Sequence, residues 1–184
     1  MSLRPVVITD PMYVGRLKEL QKEALQRTGG YIPSEDWQGI LKMSHDNPNL
    51  SRIVGVFPDE NTAPENMVAF SWSCNNGDNI EHYVAGSTRR NDARIPYGHL
   101  LVWKMIRWSK STGAEWFDMG GVTLGGEEDE ASLEGISKFK RLFSREVVEI
   151  GAEWVLEPAP VRARIANVVS NGASYVRELI SNRG

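Results

Sequence analysis

The chain has 184 residues, 41% of them hydrophobic and 24% charged, and this composition excludes disordered, collagen-like and coiled-coil classes in favour of one globular domain. Its net charge of −3 argues against a DNA-coating surface, its one cysteine excludes an internal disulfide, and its three separated histidines predict no metal site. Because no apolar run approaches the ~20 residues of a membrane-spanning helix, we expect no membrane span, and because a single cysteine fits a reducing compartment, we expect a cytoplasmic protein.

The first part of the chain predicts one strand followed by two helices. Residues 6–8 are apolar and β-branched, as in a strand. Asp10 with Pro11 is a typical helix start, and apolar residues then recur at helical spacing. Residues 33–36 form a second helix start ahead of another apolar stripe. The expected order is therefore strand, helix, helix.

The middle of the chain predicts an antiparallel meander. Three runs, at residues 53–57, 67–73 and 80–85, have the apolar and β-branched composition of strands. The Asn-Asn-Gly-Asp segment at residues 75–78 is a strong hairpin signal between the second and third runs. We therefore expect three consecutive antiparallel strands.

One long helix, from about Pro96 to Gly113, connects this meander to a short strand at residues 116–119. Strands joined by such a crossover are parallel and right-handed, so we expect the strand ending near Ala85 and the 116–119 strand to be parallel neighbours. The fold class is thus α/β (α+β), with a mixed, mostly antiparallel sheet and helices on both faces.

The rest of the chain predicts a helix at residues 133–143, a strand or hairpin arm at 147–156, and a terminal helix. We expect a domain over residues 1–157, with a C-terminal helix at 158–184 packed on it. Because large aromatic side chains usually carry burial, the six tryptophans are predicted to lie mostly in the core, Trp103 and Trp116 among them.

Four segments appear in an order that is typical of one family, namely residues 27–31 (RTGGY), 96–103 (PYGHLLVW), 116–121 (WFDMGG) and 135–143 (GISKFKRLF). They resemble the FemABX-like branch of the GNAT N-acyltransferases, which includes peptidoglycan-bridge aminoacyltransferases and related single GNAT domains. The resemblance implies a sheet with a V-shaped splay. It also implies transfer of an acyl or aminoacyl group from acyl-CoA or aminoacyl-tRNA, bound as a cosubstrate, to a small-molecule or peptide amine.

Two alternatives stay open beside this activity. One is an acyl-CoA-dependent N-acetyltransferase of a small amine or amino acid, and the other is a degenerate GNAT domain that binds a ligand or partner without turnover. The oligomeric state has no signature in the sequence.

The loop before the long helix is where the resemblance implies contact with the cosubstrate. GNAT enzymes present backbone N–H groups and a helix N-terminus to the pyrophosphate of acyl-CoA at this point. Here Arg89, Arg90 and Arg94 offer bidentate phosphate donors, and Gly98 is the one glycine. Since Pro96 removes a backbone donor, we expect weak coenzyme A binding; the alternative is a solvated basic loop.

The resemblance implies that Lys140 stabilises the oxyanion of the reacting ester and contacts the acceptor end of a tRNA. Helical periodicity alone would place Lys140 on a solvated face. Phe139 beside it is predicted to bind substrate.

Three residues at the exit of the short strand are also predicted to bind substrate: Asp118, Gly120 and Gly121. The alternative for Asp118 is that it caps nearby N–H groups. On the preceding strand Glu81 is the candidate general base, or else an exposed polar residue. Its neighbour His82 faces the other side of the sheet.

Overall fold

The computed structural model describes residues 3–28, 35–88, 97–123, 131–144 and 146–148. The chain divides into two compact units, residues 1–145 and 146–184, and every described element lies in the first. The helix predicted at 158–184 lies outside the described residues, as does the strand or hairpin arm predicted at 147–156 except for residues 147 and 148, which are not in a strand. The elements are β1 (Arg4–Val7), α1 (Val14–Thr28), α2 (Trp37–Asp46), β2 (Ser51–Phe57), β3 (Ala69–Asn75), β4 (Asn79–Ser87), α3 (Tyr97–Thr112), β5 (Trp116–Asp118) and α4 (Ala131–Lys140).

The five strands form one sheet in chain order, β1-β2-β3-β4-β5. The first three pairings are antiparallel, and β4 pairs with β5 in parallel. This parallel contact is short, because it runs only from Asn79↔Trp116 to Glu81↔Asp118, whereas β4 continues to Ser87. The two strands therefore separate after three pairs. The predicted mixed sheet and its parallel crossover are confirmed.

Helices cover both faces of the sheet and create two cores. On one face α1 and α2 pack on β2 and β3, with Trp37 and Phe70 in edge-to-face contact at 5.1 Å. On the other face α3 packs on Val54 and Ile80 of the sheet. A strand that is buried on both faces needs a continuous apolar run, which is what β2 supplies.

Short polar side chains set where the helices begin. Asp10 Oδ1 accepts a hydrogen bond from the Met12 N–H at 2.8 Å, at the start of a short 3-10 helix (Pro11–Tyr13) that leads directly into α1. Asp36 Oδ1 accepts one from the Gly39 N–H at 3.1 Å at the start of α2. Each carboxylate satisfies a donor that the first helical turn leaves without a partner. Both helix starts were predicted from the sequence, and both are confirmed.

The prediction for the tryptophans is wrong at two positions. Trp37, Trp72 and Trp108 are buried, but Trp103 is 53% exposed and Trp116 is 60% exposed. The side of α3 that packs on the sheet follows the spacing of Leu101, Val102, Met105 and Trp108, and Trp103 falls outside it. Trp116 stands at the start of β5, the last strand of the described sheet.

Candidate active site

The candidate site lies where β4 and β5 separate. Glu81↔Asp118 is the last pair between them. Directly after it, β4 carries a bulge: His82 pairs with Ser73 of β3 and Val84 pairs with Trp72, which leaves the backbone of Tyr83 as an extra residue. A bulge disrupts the ladder locally and bends the strand. The end of the parallel contact and the irregular part of β4 therefore coincide.

The ammonium of Lys140 reaches this opening from the end of α4. Its Nζ donates a hydrogen bond to the Gly121 carbonyl oxygen at 2.7 Å. It also lies 3.5 Å from the position that a Cβ on Gly120 would occupy, which is an ordinary van der Waals distance. Lys140 is partly buried and does not lie on a fully solvated helix face. An ammonium has three N–H donors, and this contact uses one of them.

Asp118 adopts the capping role that was its alternative interpretation. Its Oδ1 accepts a hydrogen bond from the Gly120 N–H at 2.6 Å, and Gly120 has a φ of +75°. The carboxylate therefore stabilises the left-handed turn that ends β5. Burial lowers the pKa of Lys140, and the negative charge of Asp118 counteracts that shift. Asp118 thus both shapes the turn and supports the charge of the lysine.

Polar contacts hold the chain after β5 against α4. Thr123 donates to Ser137 Oγ from its backbone N–H at 2.9 Å, and the Arg141 guanidinium donates to the Thr123 carbonyl oxygen at 2.7 Å. Ser137 is buried, whereas the neighbouring Lys138 is exposed and pairs with Glu134 at 2.8 Å. These contacts fix the position from which Lys140 extends.

Phe139 connects α4 to the first turn of α3. Its ring lies 4.9 Å from the His99 ring and 5.4 Å from the Phe143 ring, measured between centroids. A Cβ on Gly98 would lie 3.2 Å from the Phe139 ring, closer than ordinary contact. The predicted cofactor residue Gly98 and the predicted substrate residue Phe139 are therefore neighbours. The other predicted cofactor residues, Arg89, Arg90 and Arg94, lie outside the described residues.

Glu81 pairs with Asp118 on one side and with Cys74 of β3 on the other. Cys74 is packed against the core under α1 and α2, so Glu81 lies on that face of the sheet. Burial raises the pKa of the Cys74 thiol, and the charge of Glu81 adds to that effect. The thiol is therefore protonated at neutral pH, as suits a structural cysteine rather than a nucleophile. Among the described contacts, no hydrogen bond joins Glu81 to Lys140.

His82 is the residue that sequence analysis set aside. Its Nδ1 lies 3.1 Å from Ser71 Oγ. Burial lowers the pKa of His82 to about 4, and the positive charge of Lys140 contributes to this shift. The imidazole is thus neutral at pH 7. One feature of the sequence indicated His82. Ser71 and Ser73 are two residues apart on β3, so both point to the same face, where polar side chains favour a polar neighbour on the adjacent strand.

The described residues bring no three His, Cys, Asp or Glu side chains together as metal ligands. None of the helices in the described part combines the length and the apolar character that crossing a bilayer requires.

No protein-family model and no curated protein sequence matches the chain, but solved structures do. AAC(6')-Iy in complex with the bisubstrate analogue CoA-S-monomethyl-acetylneamine has a TM-score of 0.54 at 9% identity, covering 86% of this chain and 100% of that chain. An acetyltransferase of the GNAT family from Staphylococcus aureus Mu50 has a TM-score of 0.55 at 13% identity, covering 77% and 83%. Ribosomal-protein-alanine N-acetyltransferase from Brucella melitensis biovar Abortus 2308 has a TM-score of 0.54 at 10% identity, covering 86% and 99%. The chain has the GNAT fold.

The sheet agrees with the GNAT fold, since the separation of β4 and β5 corresponds to the V-shaped splay that the resemblance implied. At these identities the likeness concerns the fold alone, and the assignment to the FemABX-like branch stays a prediction.

Proposed function

We propose that this protein is an acyl-CoA-dependent N-acyltransferase for a small amine. The observation that carries the proposal is the parallel β4–β5 pair that opens after Glu81↔Asp118, with the Lys140 ammonium held at the opening. Proteins of the same fold support it, since their names state acetyl transfer and one of them holds an analogue that contains coenzyme A. This activity was the alternative in the sequence analysis, and the structural likeness favours it over the aminoacyl-tRNA reaction.

The reaction is a direct transfer. The nitrogen of the amine attacks the carbonyl carbon of the thioester, a C–N bond forms, and negative charge develops on the carbonyl oxygen. The C–S bond then breaks, the oxygen regains its double bond, and the proton lost by the amine reaches the departing thiolate through a general base. The products are an amide and free coenzyme A, and the chemistry needs a donor to the oxyanion and a base for the proton.

Lys140 is the proposed oxyanion donor, because its ammonium is partly desolvated and, among the described contacts, only one of its three N–H groups is used, in the bond to Gly121. Glu81 is the proposed base, next to Asp118 at the last strand pair. Gly98 and Phe139 would line the part of the site that holds the cosubstrate. The phosphates of the cosubstrate would be bound by Arg89, Arg90 and Arg94. A reaction that consumes coenzyme A esters fits the cytoplasmic location expected from the single cysteine.

Transfer from aminoacyl-tRNA rests on the four FemABX-like segments alone, and binding without turnover rests on the loss of glycines before α3. The first of these candidates differs from the proposed activity in the ligand that stabilises the folded protein, and the second differs in the absence of transfer.

The test measures thermal unfolding and calorimetric binding with acetyl-CoA, longer acyl-CoA esters and an aminoacyl-tRNA analogue. A ligand that binds only the folded state raises the melting temperature by an amount that grows with its concentration. We expect acyl-CoA esters to raise it, and replacing Arg89, Arg90 and Arg94 together by Gln to weaken the effect. Arg107→Gln, on the exposed side of α3, is the control.

Transfer of labelled acetyl from acetyl-CoA to aminoglycosides, polyamines and peptides with a free N-terminus then identifies the acceptor. Stabilisation by the tRNA analogue alone would overturn the acyl-CoA proposal in favour of the aminoacyl reaction. Acyl-CoA binding without transfer to any amine would leave a binding domain.

A further inference from the structure

The contact between Ser71 and His82 determines which ring nitrogen of the histidine carries the proton. Ser71 is fully buried on β3, and within the described residues its hydroxyl has one hydrogen-bond partner, His82 Nδ1 at 3.1 Å. A buried hydroxyl proton without an acceptor costs free energy. Among the described residues, the hydroxyl proton of Ser71 therefore has an acceptor when Ser71 donates to His82 Nδ1. In a neutral ring this leaves the proton on Nε2.

The position of the ring directs that Nε2–H away from β3. The two nitrogens lie on opposite sides of Cε1, so when Nδ1 faces Ser71, Nε2 faces away from that strand. The partner of β4 on its other side is β5, and the two strands have already separated at this level, because Glu81↔Asp118 is their last pair. His82 also precedes the bulge at Tyr83, where the regular ladder is interrupted.

The surroundings of His82 oppose its protonation. Burial is the larger cause, and the positive charge of Lys140 acts in the same direction. Asp118 and Glu81 are the nearby carboxylates at the opening, and Asp118 acts on Lys140. A histidine kept neutral in this way is a poor acceptor for the proton of an alkylammonium. It remains a hydrogen-bond donor at every pH at which the enzyme would work.

We propose that His82 donates its Nε2–H to the carbonyl oxygen of the acyl group, beside the Lys140 ammonium, and so forms the second half of the oxyanion hole. This inference rests on the proposed acyl transfer. In the reaction His82 exchanges no proton, because the hydrogen bond only shortens as negative charge develops on the oxygen. Proton removal from the amine belongs to another group, for which Glu81 is the candidate.

The first experiment tests the proton position without any need for activity. Two-bond ¹H–¹⁵N NMR spectra of the full-length protein distinguish the two neutral tautomers of each histidine. We expect His82 to carry its proton on Nε2 from pH 5.5 to 8.5, and Ser71→Ala to introduce the Nδ1–H tautomer. The exposed His45, which contacts Asp46, is the internal control for the assignment of the histidine signals. A proton on Nδ1 in the unmodified protein, or titration of His82 near pH 6.5, would overturn the proposal.

The second experiment measures acyl transfer in two variants. Gln places an N–H donor near the position of Nε2, whereas Leu has none, so His82→Gln should retain most of kcat and His82→Leu should lose on the order of 10²–10³-fold. KM for the amine should change little in either variant. His45→Gln is the activity control, and melting temperatures verify folding.

Equal losses in the Gln and Leu variants would assign His82 to proton transfer or to structure and overturn the donor role. If His82 has the Nε2–H tautomer and no acyl donor or acceptor supports turnover, both the catalytic use of His82 and the proposed function fail. If turnover occurs and the Leu variant is fully active, only the role of His82 fails.

Discussion

Lys140 combines a contact that positions it with an environment that weakens its hydration. The Gly121 carbonyl oxygen orients the ammonium at 2.7 Å, and burial lowers the pKa of the side chain while Asp118 raises it. Electrostatic stabilisation is strongest where a charge is held in place before the reaction begins, since no reorganisation is then needed. Burial lowers the pKa of His82, and the positive charge of the same ammonium contributes to this shift.

We predict that Lys140→Met lowers kcat and kcat/KM together by on the order of 10²–10³-fold and leaves KM nearly unchanged, because the charge stabilises the transition state more than the bound substrate. Lys140→Arg should restore activity only in part, because a planar guanidinium does not replace a compact ammonium. Steady-state kinetics on folded variants measure this. The matched control is Lys138→Met, two residues away on α4 and exposed. Equal losses of kcat in the Lys140 and Lys138 variants would contradict a catalytic role for Lys140.

We also predict that His82 makes the fold sensitive to acid. Its pKa is about 4 in the folded protein, against an ordinary value of 6.5. Between these values the unfolded chain binds more protons, so the free energy of unfolding decreases as the pH falls from 6.5 to 4. Urea unfolding at pH 7 and pH 4.5 should show this decrease, and His82→Gln should reduce it. A pH dependence that is unchanged in the variant would assign the sensitivity to other groups.

At the level of the elements, α1 and β4 approach each other closely, and Gly86 permits this approach. A Cβ at this position would lie 2.6 Å from the Phe70 ring and 2.8 Å from the Leu20 carbonyl oxygen. The second of these atoms belongs to the backbone of α1 and cannot move without displacing the helix. The distance between α1 and the sheet therefore depends on the lack of a side chain at Gly86. The same strand, β4, also carries Glu81 and His82.

We predict that Gly86→Ala destabilises the protein by about 1–3 kcal/mol, because the added methyl group forces α1 away from β4. Gly15 in α1 is the matched control: nothing lies within 4 Å of its Cβ position, so Gly15→Ala should stabilise the helix by about 0.5–1 kcal/mol. Denaturant unfolding of both variants measures these differences. The proposed close approach would be wrong if both substitutions stabilised the protein.

For the molecule as a whole, the sheet is the structure that the two cores share. Ile53 and Val54 are consecutive on β2 and both are buried, yet Ile53 belongs to the core under α1 and α2 and Val54 to the core under α3. Successive side chains of a strand point to opposite faces, so one strand contributes to both layers. The loss of packing on either face should therefore affect the same cooperative unit.

We predict that Ile53→Ala costs about 2–5 kcal/mol. Val54→Ala should cost about 2 kcal/mol, because it removes two methyl groups from the other core. Each variant should unfold in a single transition, so the unfolding curves measured by near-UV and far-UV circular dichroism should coincide. Val7→Ala, at a position 49% exposed on β1, should stay within about 0.5 kcal/mol of the parent. Two separate transitions would show that the faces unfold independently.

The sequence by itself determined the elements of this protein and their order. Asp10 and Asp36 marked helix starts, the Asn-Asn-Gly-Asp turn marked the β3–β4 hairpin, and the helix between two strands implied a parallel crossover. These features are local, because a cap, a turn or an apolar period is complete within a few residues. The resemblance to GNAT acyltransferases, and not these local patterns, suggested roles for Lys140, Gly120 and Gly121, and the structure places the three residues beside one another.

Only the tertiary structure decided the environment of each side chain. The exposure of Trp103 depends on which side of α3 meets the sheet, and the contact of Gly98 with Phe139 depends on where α4 lies. The state of His82 needs three elements at once, with Ser71 from β3, burial on β4 and the charge of Lys140 from α4. Burial and electrostatic potential sum contributions from residues far apart in the chain, and no local pattern contains them.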